Sequence, residues 1–246
     1  MSSNKKTINW SGYEWITEER WGNLHPEKPY CWYDSDCVSV DDDNILRLKV
    51  DYHPNDIIVD GVEYHPSYGT GLLSSTRNNP EFKYGRYTWE AKFPKGKNLW
   101  MGLWMWSWQS WPPEVDVVEA WTNSCGGYLG AFSHDKLLYW DLTTNLHDPN
   151  ATHNMAEHWG LCKNMKDPSK RFMKYELVWT PEKLEFIYDG KTIRTIDDPS
   201  LMEYLNNNVD GGMNVIINNH PTEKYGSWSP SEPFLVKSFL YTPMAF

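Results

Sequence analysis

Apolar and polar positions alternate in short runs along most of the chain, and turn residues separate the runs. A period of two marks half-buried strands. In Ile45 to Tyr52, Ile45, Leu46, Leu48 and Val50 are apolar, with Arg47, Lys49 and Asp51 between them. IIVDGVEY (Ile57 to Tyr64) and LEFIYDGKTIRTI (Leu184 to Ile196) read as hairpins turning at Asp60-Gly61 and Asp189-Gly190. Tyr84 to Phe93 puts Tyr87, Trp89, Ala91 and Phe93 on one face and Thr88, Glu90 and Lys92 on the other. Leu99 to Trp108 is apolar on both faces. Leu99, Met101, Leu103 and Met105 form one row; Trp100, Gly102, Trp104, Trp106 and Trp108 form the other. A strand covered on both sides reads this way, and the tryptophan row suits a core or a sugar-lined cleft.

Further strands are predicted at Tyr128 to Ser133, Leu137 to Leu142, Met173 to Trp179, Met213 to Asn218 and Phe234 to Tyr241. Only Pro199 to Asn206 reads as helix, with its proline early in the segment. Residues 143–172 are polar and irregular and are expected to form a long surface excursion. Many short strands with tight turns and almost no helix predict an all-β antiparallel sandwich or jelly roll. Its concave face would form a cleft for a linear polymer, and residues 1–246 are expected to be one domain.

One run breaks the alternation in a chemically telling way. WPPEVDVVEAW, from Trp111 to Trp121, carries Glu114, Asp116 and Glu119 among valines and an alanine. Residues two apart in a strand share a face, so Glu114 and Asp116 point together. Glu119 lies five residues after Glu114 and would point away. One β-bulge at Val117-Val118 absorbs the odd residue and returns Glu119 to the acidic face. Buried unpaired carboxylates are costly, so three on one face call for a chemical role. Carboxyls about 5–5.5 Å apart suit a retaining glycosidase and about 6.5–9.5 Å an inverting one; the sequence specifies the face, not the distance. The plain alternative is an acidic strand facing water.

Composition narrows the field. Lys and Arg against Asp and Glu give 23 − 33 = −10, which disfavours a nucleic-acid partner. Fifteen tryptophans and fifteen tyrosines exceed what core packing requires, and such rings suit the apolar faces of sugars. Four cysteines do not make a disulfide scaffold at this length; Cys31 and Cys37 could close a small loop or remain buried thiols. The opening MSSNKKTINW has no apolar core of a signal peptide, and LWMGLWMW is too short to span a bilayer.

With these residues assembled, the chain resembles glycoside hydrolase family 16. Glu114, Asp116 and Glu119 match its Glu-x-Asp-x-x-Glu signature on a bulged strand. YGRYTWEAKFPKGKNLWMGLWMW, ELVWTPEKLEFIYDGK, MNVIINNH and FLVKSFLY resemble its other strands in order, over roughly residues 69–246. The resemblance implies a jelly-roll, concanavalin A-like sandwich and endo-acting, retaining hydrolysis of a β-glucan or β-galactan. It is closer to laminarinases, agarases, porphyranases and carrageenases than to enzymes lacking the bulge. It implies Glu114 as nucleophile, Glu119 as general acid/base and Asp116 as the acid supporting the nucleophile. It further implies substrate contacts from Glu90 and Lys92 on a neighbouring strand, and from Trp104, Trp111, Trp121, His134 and Asn218. The final strand offers Ser238 where that family's calcium site commonly has an aspartate, so no metal or other cofactor is expected. Pro113 stands where a glycine often precedes the nucleophile, and His220 follows Asn219 where an aromatic or small residue is usual. The expected partner is a polysaccharide, with no nucleic acid or membrane, and the protein is expected to be a monomer. Such polymers are extracellular, so an extracellular or periplasmic site is expected despite the missing signal.

Two other readings compete. A non-catalytic, lectin-like module of the same fold would keep the tryptophans without requiring all three acids. A metal protein would use His147, His153, His158 and Cys162, whose spacings match no familiar zinc pattern.

Overall fold

The computed structural model describes residues 5–20, 22–25, 28–94, 98–122, 140–147, 156–157, 168–222 and 232–246. In chain order the strands are β1 (Thr7–Trp10), β2 (Tyr13–Ile16), β3 (Cys31–Tyr33), β4 (Val38–Val40), β5 (Leu46–Leu48), β6 (Val50–Tyr52), β7 (Ile57–Val59), β8 (Val62–Tyr64), β9 (Tyr68–Thr70) and β10 (Leu72–Ser75). They continue as β11 (Gly85–Lys92), β12 (Leu99–Ser107), β13 (Glu114–Thr122), β14 (Trp140–His147), β15 (Ala156–Glu157), β16 (Met173–Trp179), β17 (Leu184–Tyr188), β18 (Lys191–Ile196), β19 (Met213–Pro221) and β20 (Phe234–Pro243). Among the described residues there is one α-helix, α1 (Pro199–Asn207), capped by the Asp198 side chain, which accepts from the Ser200 and Leu201 amides.

An eight-stranded sheet in the order β1-β2-β10-β19-β12-β13-β14-β15 packs on a seven-stranded sheet, β18-β17-β16-β11-β20-β5-β4. The alternation sets what lies between them. On β11, Tyr87, Trp89 and Ala91 are fully buried and their neighbours face outward. On β12, the Leu99, Met101, Leu103 and Met105 row is fully buried against the second sheet. Val115, Val117 and Val118 join that core from β13. Removing such side chains from water stabilises by roughly 1.5–3 kcal/mol each. The opposite row of β12 is left for the outer surface of the eight-stranded sheet, where Trp100, Gly102, Trp104 and Trp106 line a cleft.

Both DG turns form as the sequence implies: Asp60 and Gly61 have φ of 51° and 80°, and Asp189 and Gly190 of 51° and 82°. Ile45 to Tyr52 is not one strand. It breaks at Lys49 because β5 pairs in the seven-stranded sheet while β6 pairs β9 in a separate three-stranded one. Cys31 and Cys37 are buried free thiols, so the small loop is not cross-linked.

The expected excursion at residues 143–172 is corrected at its start, and residues 148–155 and 158–167 lie outside the described residues. Trp140–His147 is a strand hydrogen-bonded along β13. It reads as polar because Asn145 and His147 line the cleft rather than the core. The predicted strand at Tyr128 to Ser133 lies outside the described residues. No helix among the described residues is long and apolar enough to cross a membrane.

Candidate active site

β13 lies between β12 and β14, and its register turns the sequence pattern into a site. Glu114 faces Trp106 on one side and His147 on the other; Asp116 faces Trp104 and Asn145. The pairing then slips by one residue. Leu103 pairs with Val118, and Glu119 pairs with Gly102 and Thr143. Val117 and Val118 thus oppose the single residue Thr144, and both valines are fully buried. The bulge returns Glu119 to the face of Glu114 and Asp116. All three acids line a cleft of about 740 Å³ on the outer face of the eight-stranded sheet.

His147 ties the acids together. Its Nε2 lies 3.1 Å from Oε1 of Glu114 and 3.2 Å from Oδ2 of Asp116, and the Asn145 side-chain amide comes within 3.0 Å of the same nitrogen. Burial disfavours charge on this imidazole. The hydrogen bonds to Asp116 and Glu114, with their negative charge, outweigh that and push it up to about 10. Asp116 is almost fully buried; that burial, then the charge of Glu114, raises its carboxyl to about 7, against the opposing pull of His147. The titrations of Asp116 and His147 are therefore linked. Glu114, Asp116 and His147 each offer an atom within 4.8 Å of the others, enough to hold a cation, and a protonated imidazole supplies that positive charge itself.

The aromatic surroundings divide into open and covered rings. Trp111 is 48% exposed, and its Nε1 donates to Oε2 of Glu114 at 2.9 Å. Trp104 lies over Gly102 and donates from Nε1 to Oδ1 of Asn218 at 2.6 Å. The ammonium of Lys28 lies 3.5 Å from the centre of the Trp100 ring, and Trp121 stacks parallel to that indole at 5.9 Å. The Arg20 guanidinium covers Trp106 at 3.6 Å. Beside Trp100, His25 and His220 meet edge to face at 4.7 Å; burial holds His25 down at about 3 and His220 well below its ordinary value, so both are neutral.

Glu114, Asp116, Glu119, Trp104, Trp111 and Asn218 are therefore brought together around one cleft. Trp121 joins them through Trp100. Glu90 and Lys92 are not, and that expectation is corrected. They sit on β11, whose neighbours are β16 and β20 in the other sheet, and they face outward, where Glu90 pairs with Lys237 at 3.0 Å and Lys92 approaches Glu232 at 4.0 Å. His134 lies outside the described residues, as do His153, His158 and Cys162. Sequence reasoning placed His147 only in a metal set; its i, i+2 relation to Asn145 on a polar strand was the available signal. Arg20 and His25 gave none, because nothing local marks a loop residue that folds over a distant strand.

The family model described as Glycosyl hydrolases family 16 matches residues 26–230. A Beta-1,3-glucan-binding protein of Penaeus monodon is 31% identical over 136 residues, 52% of this chain and 35% of that protein. The chain thus spans about a third of the length of that curated relative. The laminarinase catalytic domain from Thermotoga maritima MSB8 superposes with a TM-score of 0.65 at 19% identity, over 98% of this chain and 92% of that one. The endo-beta-1,3-glucanase from Pyrococcus furiosus superposes with a TM-score of 0.62 at 17% identity, over 96% and 99%. At such identities the likeness is one of fold.

Proposed function

The chain belongs to glycosyl hydrolase family 16, and we propose that it is an endo-acting, retaining β-glucan hydrolase. The observation that carries the proposal is the bulge in β13, which sets Glu114, Asp116 and Glu119 on one face of a tryptophan-lined cleft. An ionised Glu114 attacks the anomeric carbon and forms a glycosyl-enzyme. Trp111 and His147 meet its two oxygens and hold the carboxylate in place. Glu119 protonates the departing glycosidic oxygen, then removes a proton from the water that releases the sugar. Asp116 responds to the charge beside it: when Glu114 becomes an ester, the charge that helped raise Asp116 is gone, and Asp116 gives up its proton more readily.

A glucan is preferred to a galactan because the solved structures of the same fold include laminarinases and endo-1,3-glucanases. Such a polymer would be met outside the cell. The second reading, glucan recognition without hydrolysis, is favoured by the Penaeus monodon relative; the complete set of acids favours turnover.

The test is a reducing-end assay on laminarin, mixed-linkage β-glucan, agarose, porphyran and carrageenan, with Glu114→Gln as the blank. Oligosaccharide release from a β-glucan by the native chain alone is the expected result. Binding without release on every polymer would favour the recognition reading. Release from a galactan only would overturn the substrate assignment.

A further inference from the structure

The bulge leaves Val117 without a partner on β12, where Leu103 pairs with Val118 and Trp104 with Asp116. Its carbonyl accepts a hydrogen bond of 2.8 Å from the hydroxyl of Tyr188. Tyr188 is buried and belongs to β17 in the other sheet, so this bond crosses the core of the sandwich. A second bond reaches the other side of the bulge. Arg194, on β18, donates from Nη1 to the carbonyl of Thr144 at 2.9 Å and to its Oγ1 at 3.1 Å. Thr144 is the residue opposite the two valines. Both donors come from the hairpin that turns at Asp189-Gly190, and both end on the one place where the catalytic strand departs from regular pairing.

We propose that Tyr188, supported by Arg194, is a positioning residue for Glu119. A regular ladder fixes each peptide plane from both sides; at a bulge one plane loses that restraint. Here the Tyr188 hydroxyl replaces it and sets the orientation of the Val117 peptide. The next two residues carry that orientation to the Glu119 carboxyl, and with it the alignment of the proton with the glycosidic oxygen. A carboxyl displaced by even about 1 Å loses much of its effect on rate. The inference rests on Glu119 being the general acid/base.

The test is Tyr188→Phe, which keeps the ring and its packing against Tyr175, 5.0 Å away, and removes only the hydroxyl. Two probes separate positioning from general damage: laminarin, whose leaving group needs a proton, and dinitrophenyl β-laminaribioside, whose leaving group does not. We expect kcat/KM to fall about tenfold or more on laminarin and less than about threefold on the aryl glycoside. Equal losses on both probes, or none on either, would overturn the proposal. Crystal structures of the native protein and the variant give a readout that needs no turnover. A rotated Val117 peptide and a shifted Glu119 carboxyl are expected, and a superimposable bulge would overturn the proposal. A native protein inactive on both probes would count against the hydrolase reading instead, and the crystal pair would still decide the role of Tyr188.

Discussion

Gly102 and Asn218 share a space that admits no further atom: a Cβ on Gly102 would stand 2.6 Å from Oδ1 of Asn218 and 2.8 Å from Cδ1 of Trp104. Gly102 is also the residue paired with Glu119. The glycine leaves room for the indole of Trp104 to lie in the cleft with its N–H on Asn218. Gly102→Ala is expected to break that bond and tilt the ring. Steady-state kinetics should show KM for laminarin rising about tenfold, as a platform and a polar contact are lost together. Unchanged kinetics would mean that Trp104 does not touch substrate.

Glu114→Gln should reduce turnover by at least about a thousandfold, because an amide cannot form the glycosyl-enzyme. The variant should keep its thermal midpoint and bind laminarin in calorimetry. Near-native activity would remove Glu114 from the nucleophile role.

Glu119→Ala should lose about a hundredfold or more on polymers and far less on an activated aryl glycoside. Added azide should accelerate the variant and yield a β-glycosyl azide, the product expected from two inversions. An α-azide would mean a single displacement by azide and would remove Glu119 from the acid/base role.

Trp111→Phe keeps an aromatic face but removes the N–H that meets Glu114. A hydrogen bond to a charged group contributes about 1.5–3 kcal/mol, so kcat should drop about tenfold or more. KM should change little if the ring alone holds the sugar. A KM effect without a kcat effect would assign Trp111 to binding only.

The coupled acids predict a pH dependence with a definite sign. His147 is raised from 6.5 to about 10 in the folded protein, so its stabilising contribution is complete below pH 6.5 and is lost as pH rises through about 10. Asp116, raised from 3.8 to about 7, acts in the same direction: its contribution is present below pH 3.8 and lost as pH rises through about 7. The thermal midpoint of the native protein should therefore fall between pH 6 and pH 10, and that of His147→Gln should fall less. A gap between the two proteins that widens with pH would contradict this arrangement.

Faces were legible in the sequence; partners were not. The alternation on Tyr84 to Phe93 correctly placed Glu90 and Lys92 opposite Tyr87 and Trp89, yet it carried no information about which strand lies alongside. Backbone pairing is indifferent to sequence distance, and β11 pairs with β16 and β20 rather than with β12. The EVDVVE spacing located the bulge because an acid out of phase has one simple remedy. The strand bearing His147 was hidden for the opposite reason. Both of its neighbours in space are strands, but the face it presents to the cleft is polar, so the pattern that marks buried strands is missing there. Trp100 shows a third limit: its sequence position suits a sugar platform, and only the fold reveals that a lysine and a second indole already cover it.

Cys31 and Cys37 give the molecule a built-in clock. Both thiols are enclosed, and burial raises their pKa, that of Cys37 to about 12, so almost no thiolate is present at neutral pH. An alkylating reagent can reach them only when the surrounding strands part. Site-resolved labelling at these two positions would time the opening of the first third of the chain, independently of whether any sugar is cleaved.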